Sequence, residues 1–279
     1  SGTLAYAHNL AGSFTVTKNF KRTRNYFRES PLYGYVGGGV LPPGTTMTCQ
    51  IDRLDYSNET ISSPGKNFAQ GKASHSSLSN NQYGYFSSGT IATGTVPTVN
   101  QYTSNVDRIE YSTETVRNVA TAMTGMKEDV SSTSSSNYGY VAGGFFSPAP
   151  SITYTTVERL DFSTETISLP GRNIPITKRS MNRGSISSES YGYFAGGGNP
   201  TYNPSPTLYY QCTIDRLDFT NETVSATGAF LRRGKTSFGC CSSDDYAFLG
   251  GGANATGTNV TMEEVIPPQH QLEYVQLAV

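Results

Sequence analysis

The sequence predicts an all-β fold, a single β-propeller of five four-stranded blades. Three observations carry this prediction. A nine-residue phrase recurs four times, a Tyr-Gly-Tyr phrase precedes each copy, and the units begin near Tyr33, Tyr83, Tyr138, Tyr191 and Tyr246. The starts are about 50 to 55 residues apart, a period that is typical of propellers and other repeat arrays. One repeat covers nearly the whole chain, so we expect one domain rather than several.

The nine-residue phrase is nearly verbatim at residues 52–60, 107–115, 158–166 and 215–223. Its short polar end predicts a tight hairpin turn between the third and fourth strands of a blade. The Arg beside an acid in every copy predicts an ion pair between blades or a bond to the backbone, and a ring of basic ligand sites is the alternative. The repeated residues are Asp52, Arg53, Asp107, Arg108, Glu158, Arg159, Asp215 and Arg216.

The Tyr-Gly-Tyr phrase is predicted to be the innermost apolar strand of each blade, because aromatic and small residues alternate in it, and in the fourth unit a short β segment at residues 185–187 precedes it. The glycines that follow would let the backbone bend where the blades crowd an axis. In the clearest unit, residues 210–219 are expected to form the third strand after a loop. The fifth unit begins at Tyr246 but carries only a degenerate second phrase at residues 262–265.

The two ends of the chain complement each other. Residues 1–12 are predicted to be a lead-in, and the propeller to span 13–266. A strand from residues 13–20 is expected to complete the last blade, which would leave no sheet edge open. Residues 267–279 are predicted to be an extra strand or an arm that docks on another subunit. Ser1 would fit removal of an initiator Met, so we expect a complete chain made in a cytoplasm; a sixth blade would need an unrecognised unit in residues 1–32.

Composition excludes several functions. The net charge is −1 and charged residues make up 15% of the chain, so no field for binding nucleic acid is expected. No apolar run approaches the ~20 residues that cross a bilayer. The four cysteines, two at equivalent repeat positions and two adjacent, are expected to be reduced and structural. The 3 histidines are far apart in sequence, so neither a metal nor a cofactor is predicted.

An aromatic–Gly–aromatic strand that runs into glycines, followed by the Asp-Tyr-(Ser/Thr)-x-Glu-Thr turn, resembles the kelch repeat. The resemblance covers about residues 13–266 and departs from the pattern in the absence of Trp. It implies a propeller that recognises partners through the loops at one end. The Ser-, Thr-, Asn-, Gly- and Tyr-rich repeats are most similar to kelch-type virion proteins of tailed phages, particularly those of marine bacteria.

The loops between the second and third strands vary freely among the repeats, whereas the turns between the third and fourth strands are nearly uniform. Variable loops on a rigid scaffold are where binding usually resides. Exposed aromatics among polar neighbours suit protein contact or stacking on sugars, and self-packing within the loops is the alternative. The candidate binding residues are Tyr102, Phe145, Phe146, Tyr154, Tyr202, Tyr209 and Tyr210.

These observations predict a non-enzymatic virion component of a phage: a tail, fibre or capsid-decoration protein, assembled in the host cytoplasm. Its expected partners are other virion proteins within a larger assembly, with a host-surface glycan or receptor as a further ligand. The alternatives are a cytoplasmic kelch-type interaction module and, less favoured, a propeller enzyme that acts on polysaccharide. No nucleophile elbow, phosphate loop or Ser-His-Asp spacing supports catalysis.

Overall fold

Ten β-sheets make up the described structure, and no helix occurs in it. The computed structural model describes residues 13–15, 32–41, 46–91, 101–146, 152–181, 185–199, 209–242, 246–254, 257–258 and 262–265. Within these residues there is accordingly no helix that could span a membrane. The predicted lead-in (1–12) and the terminal segment (267–279) lie outside the described residues.

The strands follow the repeats in chain order. The first repeat holds β1 (Ser13–Thr15), β2 (Tyr33–Gly37), β3 (Val40–Leu41), β4 (Thr46–Met47), β5 (Ile51–Asp55) and β6 (Thr60–Ser62). The second holds β7 (Lys72–Ala73), β8 (Ser76–Ser79), β9 (Tyr83–Ser87), β10 (Thr90–Ile91), β11 (Gln101–Tyr102), β12 (Val106–Glu110) and β13 (Val116–Asn118). The third holds β14 (Ser131–Ser134), β15 (Tyr138–Ala142), β16 (Phe145–Phe146), β17 (Ile152–Thr153), β18 (Val157–Asp161) and β19 (Ile167–Ser168). The fourth holds β20 (Tyr191–Ala195), β21 (Gly198–Asn199), β22 (Tyr209–Tyr210), β23 (Thr213–Asp218) and β24 (Val224–Phe230). The fifth holds β25 (Gly239–Ser242), β26 (Ala247–Gly250), β27 (Ala253–Asn254), β28 (Gly257–Thr258) and β29 (Met262–Val265).

Each repeat contributes one larger antiparallel sheet. The strand orders are β1-β2-β5-β6, β8-β9-β12-β13, β14-β15-β18-β19, β20-β23-β24 and β25-β26-β29. We call the members the first to fourth strands of a sheet. In the fourth sheet, the first-strand position is held by an isolated bridge between Ser187 and Gly192. The described residues of the fifth sheet end at its third strand. Four strands per sheet are therefore seen in the first three repeats.

The N-terminal strand is where the sequence prediction was wrong. Ser13 pairs with Gly37, so β1 is the first strand of the first sheet and does not complete the last one. The last sheet has its own first strand, β25, which pairs with β26. The reason is that each repeat from the second to the fifth supplies its own strand ahead of its aromatic phrase. Only the first repeat draws that strand from the beginning of the chain.

The Tyr-Gly-Tyr strand is the second strand of its sheet, and a first strand precedes it. The first strands lie side by side: β8 contacts β1 and β14, and β1 contacts β25. Ser132 and Ser185 even form a parallel bridge between two sheets. Their hydroxyls satisfy polar groups across these contacts, as when Ser132 Oγ donates to the Ser77 carbonyl at 2.6 Å. Small hydroxyl side chains therefore allow close approach in a fully buried place.

The faces of neighbouring sheets pack to form the core. One cluster joins Leu78, Tyr85 and Val106 of the second sheet to Val141 and Leu160 of the third, with further members around them. The glycine between the two tyrosines permits this approach, since a Cβ at Gly139 would lie 2.7 Å from Leu78 Cδ1. The aromatic residues and the glycine thus serve the contact between sheets rather than a single strand.

The turn between the third and fourth strands forms where it was predicted. In the third repeat, the Asp161 carboxylate accepts hydrogen bonds from the Ser163 amide at 2.8 Å and hydroxyl at 2.6 Å. These bonds lower the pKa of Asp161, the Ser163 hydroxyl contributing most. Glu165 follows with a φ of 55°, which its place in the turn requires.

Candidate functional site: the hairpin face

Five short hairpins connect the second and third strands of the five sheets. They are β3–β4, β10–β11, β16–β17, β21–β22 and β27–β28. Because all five leave the same end of their sheets, we call this surface the hairpin face. The predicted loops are therefore largely paired. Residues 210–219, predicted as one strand, divide between the hairpin strand β22 and the third strand β23.

Left-handed residues begin each hairpin. Gly143 and Gly144 have φ values of 67° and 100°, and the Gly144 amide donates to the Lys178 carbonyl of the next repeat at 3.0 Å. A Cβ at Gly143 would lie 2.5 Å from that carbonyl oxygen. In the second repeat Ser88 takes the first of these positions with a φ of 60°. The glycines thus fix where each hairpin leaves the scaffold.

A row of backbone bonds runs across the repeats beside the hairpins. The Asp129 amide donates to the Ser74 carbonyl at 3.0 Å, Ser180 to Asp129 at 2.8 Å, and Ser237 to Ser180 at 2.7 Å. All four residues have φ between 52° and 58°. Because equivalent residues are bonded in series, the bases of the hairpins are held at fixed spacings.

Buried lysines support the same region, and sequence reasoning missed them. Lys72 pairs with Asp107 at 2.5 Å and Lys178 with Asp215 at 2.7 Å; in the third repeat, Lys127 pairs with Glu158 at 3.0 Å. Burial lowers the pKa of Lys72, against the opposing effect of Asp107. The signal available in the sequence was a lysine two residues before Ser74, Asp129 and Ser180, the left-handed residues of the backbone row. It becomes visible only when the repeats are aligned with one another.

The repeated arginines lie between sheets. Arg53, Arg108 and Arg159 each bind a glutamate in the turn of the following repeat, at 2.8, 2.6 and 2.8 Å. Each guanidinium also covers the first tyrosine of its own repeat. Of the four predicted acids, Asp107, Glu158 and Asp215 pair with lysines, whereas Asp52 accepts a bond from Gln50 at 2.5 Å. These charges hold the scaffold together.

Four of the predicted binding aromatics lie on the hairpin face and are half-buried. Tyr102 packs on Phe146 with ring centroids 5.1 Å apart, which joins the second and third hairpins. The Arg179 guanidinium lies 4.0 Å from the centre of the Phe145 ring. The Lys127 amine lies 5.3 Å from the ring of Tyr154. The aromatics therefore contact one another and nearby charges rather than standing alone.

The three remaining predicted aromatics are Tyr202, Tyr209 and Tyr210. Tyr210 is half-buried on β22 and pairs with Gly198. The backbone of Tyr209 pairs with that of Asn199. Tyr202 lies outside the described residues. Sequence reasoning missed the charged neighbours: Glu128 accepts from the Tyr102 hydroxyl at 3.4 Å, and Arg179 forms a bridge with Gly198. The face therefore offers aromatic edges beside both signs of charge.

A polar cleft of about 370 Å³ lies at the opposite end of the second and third sheets. Its polar groups mostly hold their own turns, as when Asn80 accepts from the amides of Gln82 and Tyr83 at 2.8 and 2.7 Å. Among the described residues, no group of three or more His, Cys, Asp or Glu side chains could hold a metal ion. The hairpin face is consequently the stronger candidate.

Comparison with known proteins gives a likeness of fold. The sequence matches no protein-family model and no curated protein. Among solved structures, the chain is similar to the structure of YjhT, with a TM-score of 0.67 and 14% sequence identity. The match covers 88% of this chain and 81% of that one. At this identity the likeness concerns the all-β fold alone, and it extends over most of both chains.

Proposed function

We propose that the chain is a closed five-bladed, kelch-like β-propeller whose hairpin face binds other macromolecules without catalysing a reaction. Closure is supported by the first strands, because β1 contacts both β8 and β25 and so links the first sheet to the second and to the last. The likeness to YjhT over most of the chain is consistent with a single domain.

Closure has a direct test in solution. A compact chain of 279 residues should have a radius of gyration of about 19 Å, measurable by small-angle X-ray scattering. A linear stack of the same five sheets would be longer, with a distance distribution skewed towards large values. Such a skewed distribution for the monomer would overturn the ring.

One observation carries the binding function. The chain repeats its scaffold almost unchanged, with buried lysines, arginine–glutamate pairs and glycines, while the five hairpins differ in sequence and length. A scaffold that fixes the bases of variable hairpins is the usual arrangement of a recognition surface. Half-buried aromatics beside Glu128 and Arg179 provide stacking surface and orientation for a polar partner.

The partner class follows from the repeat style. The repeats resemble those of kelch-type virion proteins of tailed phages, so the favoured role is a tail, fibre or capsid-surface component. In that role the hairpin face contacts other virion subunits, with a host-surface glycan as a further ligand. Mass spectrometry of purified phage particles should find the protein at fixed stoichiometry. Its absence from particles, with presence in the soluble fraction of the producing cell, would instead support a cellular interaction module.

A point substitution tests whether the hairpin face is the binding surface. Phe146→Ala should weaken particle incorporation or glycan binding, because it removes the contact with Tyr102 between two hairpins. The matched control is Ile61→Ala on the fourth strand of the first sheet, which is 59% exposed and far from the hairpins in the fold. The melting temperature of both variants is measured to exclude unfolding. Equal binding by the two folded variants would refute this face as the binding surface, and release of saccharide products on a glycan substrate would refute the non-enzymatic role.

A further inference from the structure

Three contacts between neighbouring sheets contain the same carboxylate site. Arg53 Nη1 lies 2.8 Å from Glu114 of the second repeat, and the Tyr35 hydroxyl donates to the same oxygen at 3.0 Å. Between the third and fourth repeats, Glu222 receives Arg159 at 2.8 Å and the Tyr140 hydroxyl at 2.9 Å. Each site therefore combines an arginine and a tyrosine of one repeat with a glutamate from the next.

The contact between the second and third repeats varies this arrangement. Arg108 binds Glu165 at 2.6 Å, and Arg117 binds the other carboxylate oxygen at 2.7 Å. The equivalent tyrosine, Tyr85, is buried without a hydrogen bond from its hydroxyl. The feature common to all three contacts is thus an arginine in the third strand with a carboxylate in front of it.

The fourth repeat contains the arginine and the tyrosine of the same site. Arg216 occupies the equivalent position, and its guanidinium lies 4.5 Å from the centre of the Tyr191 ring, close to the 4.6 and 4.7 Å of Arg53 and Arg159 over their tyrosines. Among the described residues, no carboxylate lies within ion-pair distance of Arg216. The hydroxyl of Tyr193 is buried and makes no hydrogen bond among the described residues. A cation and a phenol are thus placed as in the other sites, without the acid.

We propose that Arg216 and Tyr193 form a fourth carboxylate-binding site, at the contact between the fourth and fifth sheets. The ligand is a single carboxylate group, because that is what the same geometry holds in the other repeats. Planar guanidinium groups favour such ligands. This inference does not depend on the proposed recognition function.

The sequence indicates where the carboxylate comes from. Leu249 pairs with Glu263 as Phe86 pairs with Asp107, and in the second to fourth repeats the glutamate follows that acid by seven residues. In the fifth repeat, the position seven residues after Glu263 is His270, and the next acid is Glu273. Two sources share the required chemistry: Glu273 of the chain's own terminal segment, and the carboxylate of a separate molecule.

A double-mutant cycle tests the first source in the full chain. Urea unfolding at low salt compares Arg216→Met, Glu273→Gln and the double variant, with Arg159→Met, Glu222→Gln and their double variant as the matched control. If Glu273 is the ligand, each single variant lowers the folding equilibrium constant on the order of tenfold, and the double variant loses little more. Arg216→Lys replaces Arg216→Met should the latter fail to fold.

The second arm tests a separate carboxylate. Sodium acetate is added to the wild-type chain and to the Arg216 variant, with sodium chloride at equal ionic strength as the control. If the ligand is external, acetate raises the unfolding midpoint of the wild type above that in chloride and leaves the Arg216 variant unchanged. The proposal is overturned if the effects of Arg216 and Glu273 are additive and acetate acts like chloride, while the Arg159–Glu222 cycle shows coupling. It is equally overturned if the control cycle shows no coupling, since its premise then fails.

Discussion

Glu158→Gln is the substitution that tests most directly how the hairpin bases are held. The Glu158 side chain is 0% exposed and that of Lys127 is 1% exposed, with 3.0 Å between the amine and the carboxylate. Glu158 also accepts bonds from the Thr124 amide at 2.9 Å and from the Thr124 hydroxyl. Gln keeps the shape of the side chain but removes its charge, so the ammonium group stays buried without a counter-charge.

The expected loss is large. Removing one partner of a buried ion pair costs about 3–5 kcal/mol, because the remaining charge stays desolvated. For a chain of this size, each kcal/mol shifts the melting temperature by about 2–4 °C, so the variant should melt roughly 6 to 20 °C lower. Chemical unfolding in urea gives the free energy, and differential scanning calorimetry the melting temperature.

Two controls define the outcome. In the first control, Arg117→Met removes the ion pair between Glu165 and Arg117, whose side chain is 50% exposed. Loss of an exposed pair should lower the free energy of unfolding by at most about 1 kcal/mol. Replacing both Lys127 and Glu158, by Met and Gln, removes the unpaired charge and should recover much of the loss. A cost below about 1 kcal/mol for Glu158→Gln, equal to that of the exposed pair, would refute the reasoning.

Three further predictions concern the scaffold. Gly139→Ala should destabilise the chain by about 1–3 kcal/mol through overpacking against Leu78, whereas Gly250→Ala, whose Cβ would meet nothing within 4 Å, should cost less in the same urea titration. Amide hydrogen exchange should be faster in β25 and β26 than in β14 and β15, because no arginine–glutamate pair involves the described residues of the fifth sheet; equal protection would contradict this. Ser163→Ala should lower stability at neutral pH: since the folded pKa of Asp161 is depressed, the stabilisation is present above the unfolded pKa of about 4 and is lost as the pH falls through the folded pKa. A difference from wild type that persists unchanged at pH 2 would exclude the carboxylate as its cause.

The repeat phrases allowed much of the architecture to be predicted. The all-β class, the turn after the third strand and the position of the variable connections follow from sequence spacing and turn chemistry. The complete burial of the first strands was not predicted, because a segment such as Ser131–Ser134 carries no apolar signal. It is nevertheless fully buried, since its hydroxyls bond to neighbouring sheets, and single-sequence periodicity does not register that kind of burial.

The lysines show a second limit. A lysine in an isolated segment indicates exposure, and the acids that neutralise Lys72 and Lys178 lie 35 and 37 residues further along the chain. Only the superposition of the repeats reveals two facts. The first acid of the nine-residue phrase pairs with the buried lysine, and the arginine of the phrase pairs with a glutamate of the next repeat. The sequence prediction assigned the acid and the arginine of the phrase to one inter-blade interaction. In the structure they take part in two separate sets of ion pairs.

This division of charges bears on where recognition resides. The arginine–glutamate pairs join neighbouring sheets near the turns, and the buried lysines fix the hairpin bases, so both sets of repeated charges are used within the scaffold. The hairpins carry no repeated charge pattern, and Glu128 and Arg179 differ from their counterparts Ala73 and Thr236. Because stability is secured beneath them, the hairpins can change without unfolding the sheets. Binding specificity should therefore follow hairpin sequence, and exchanging one hairpin between repeats should alter binding while leaving the melting temperature nearly unchanged.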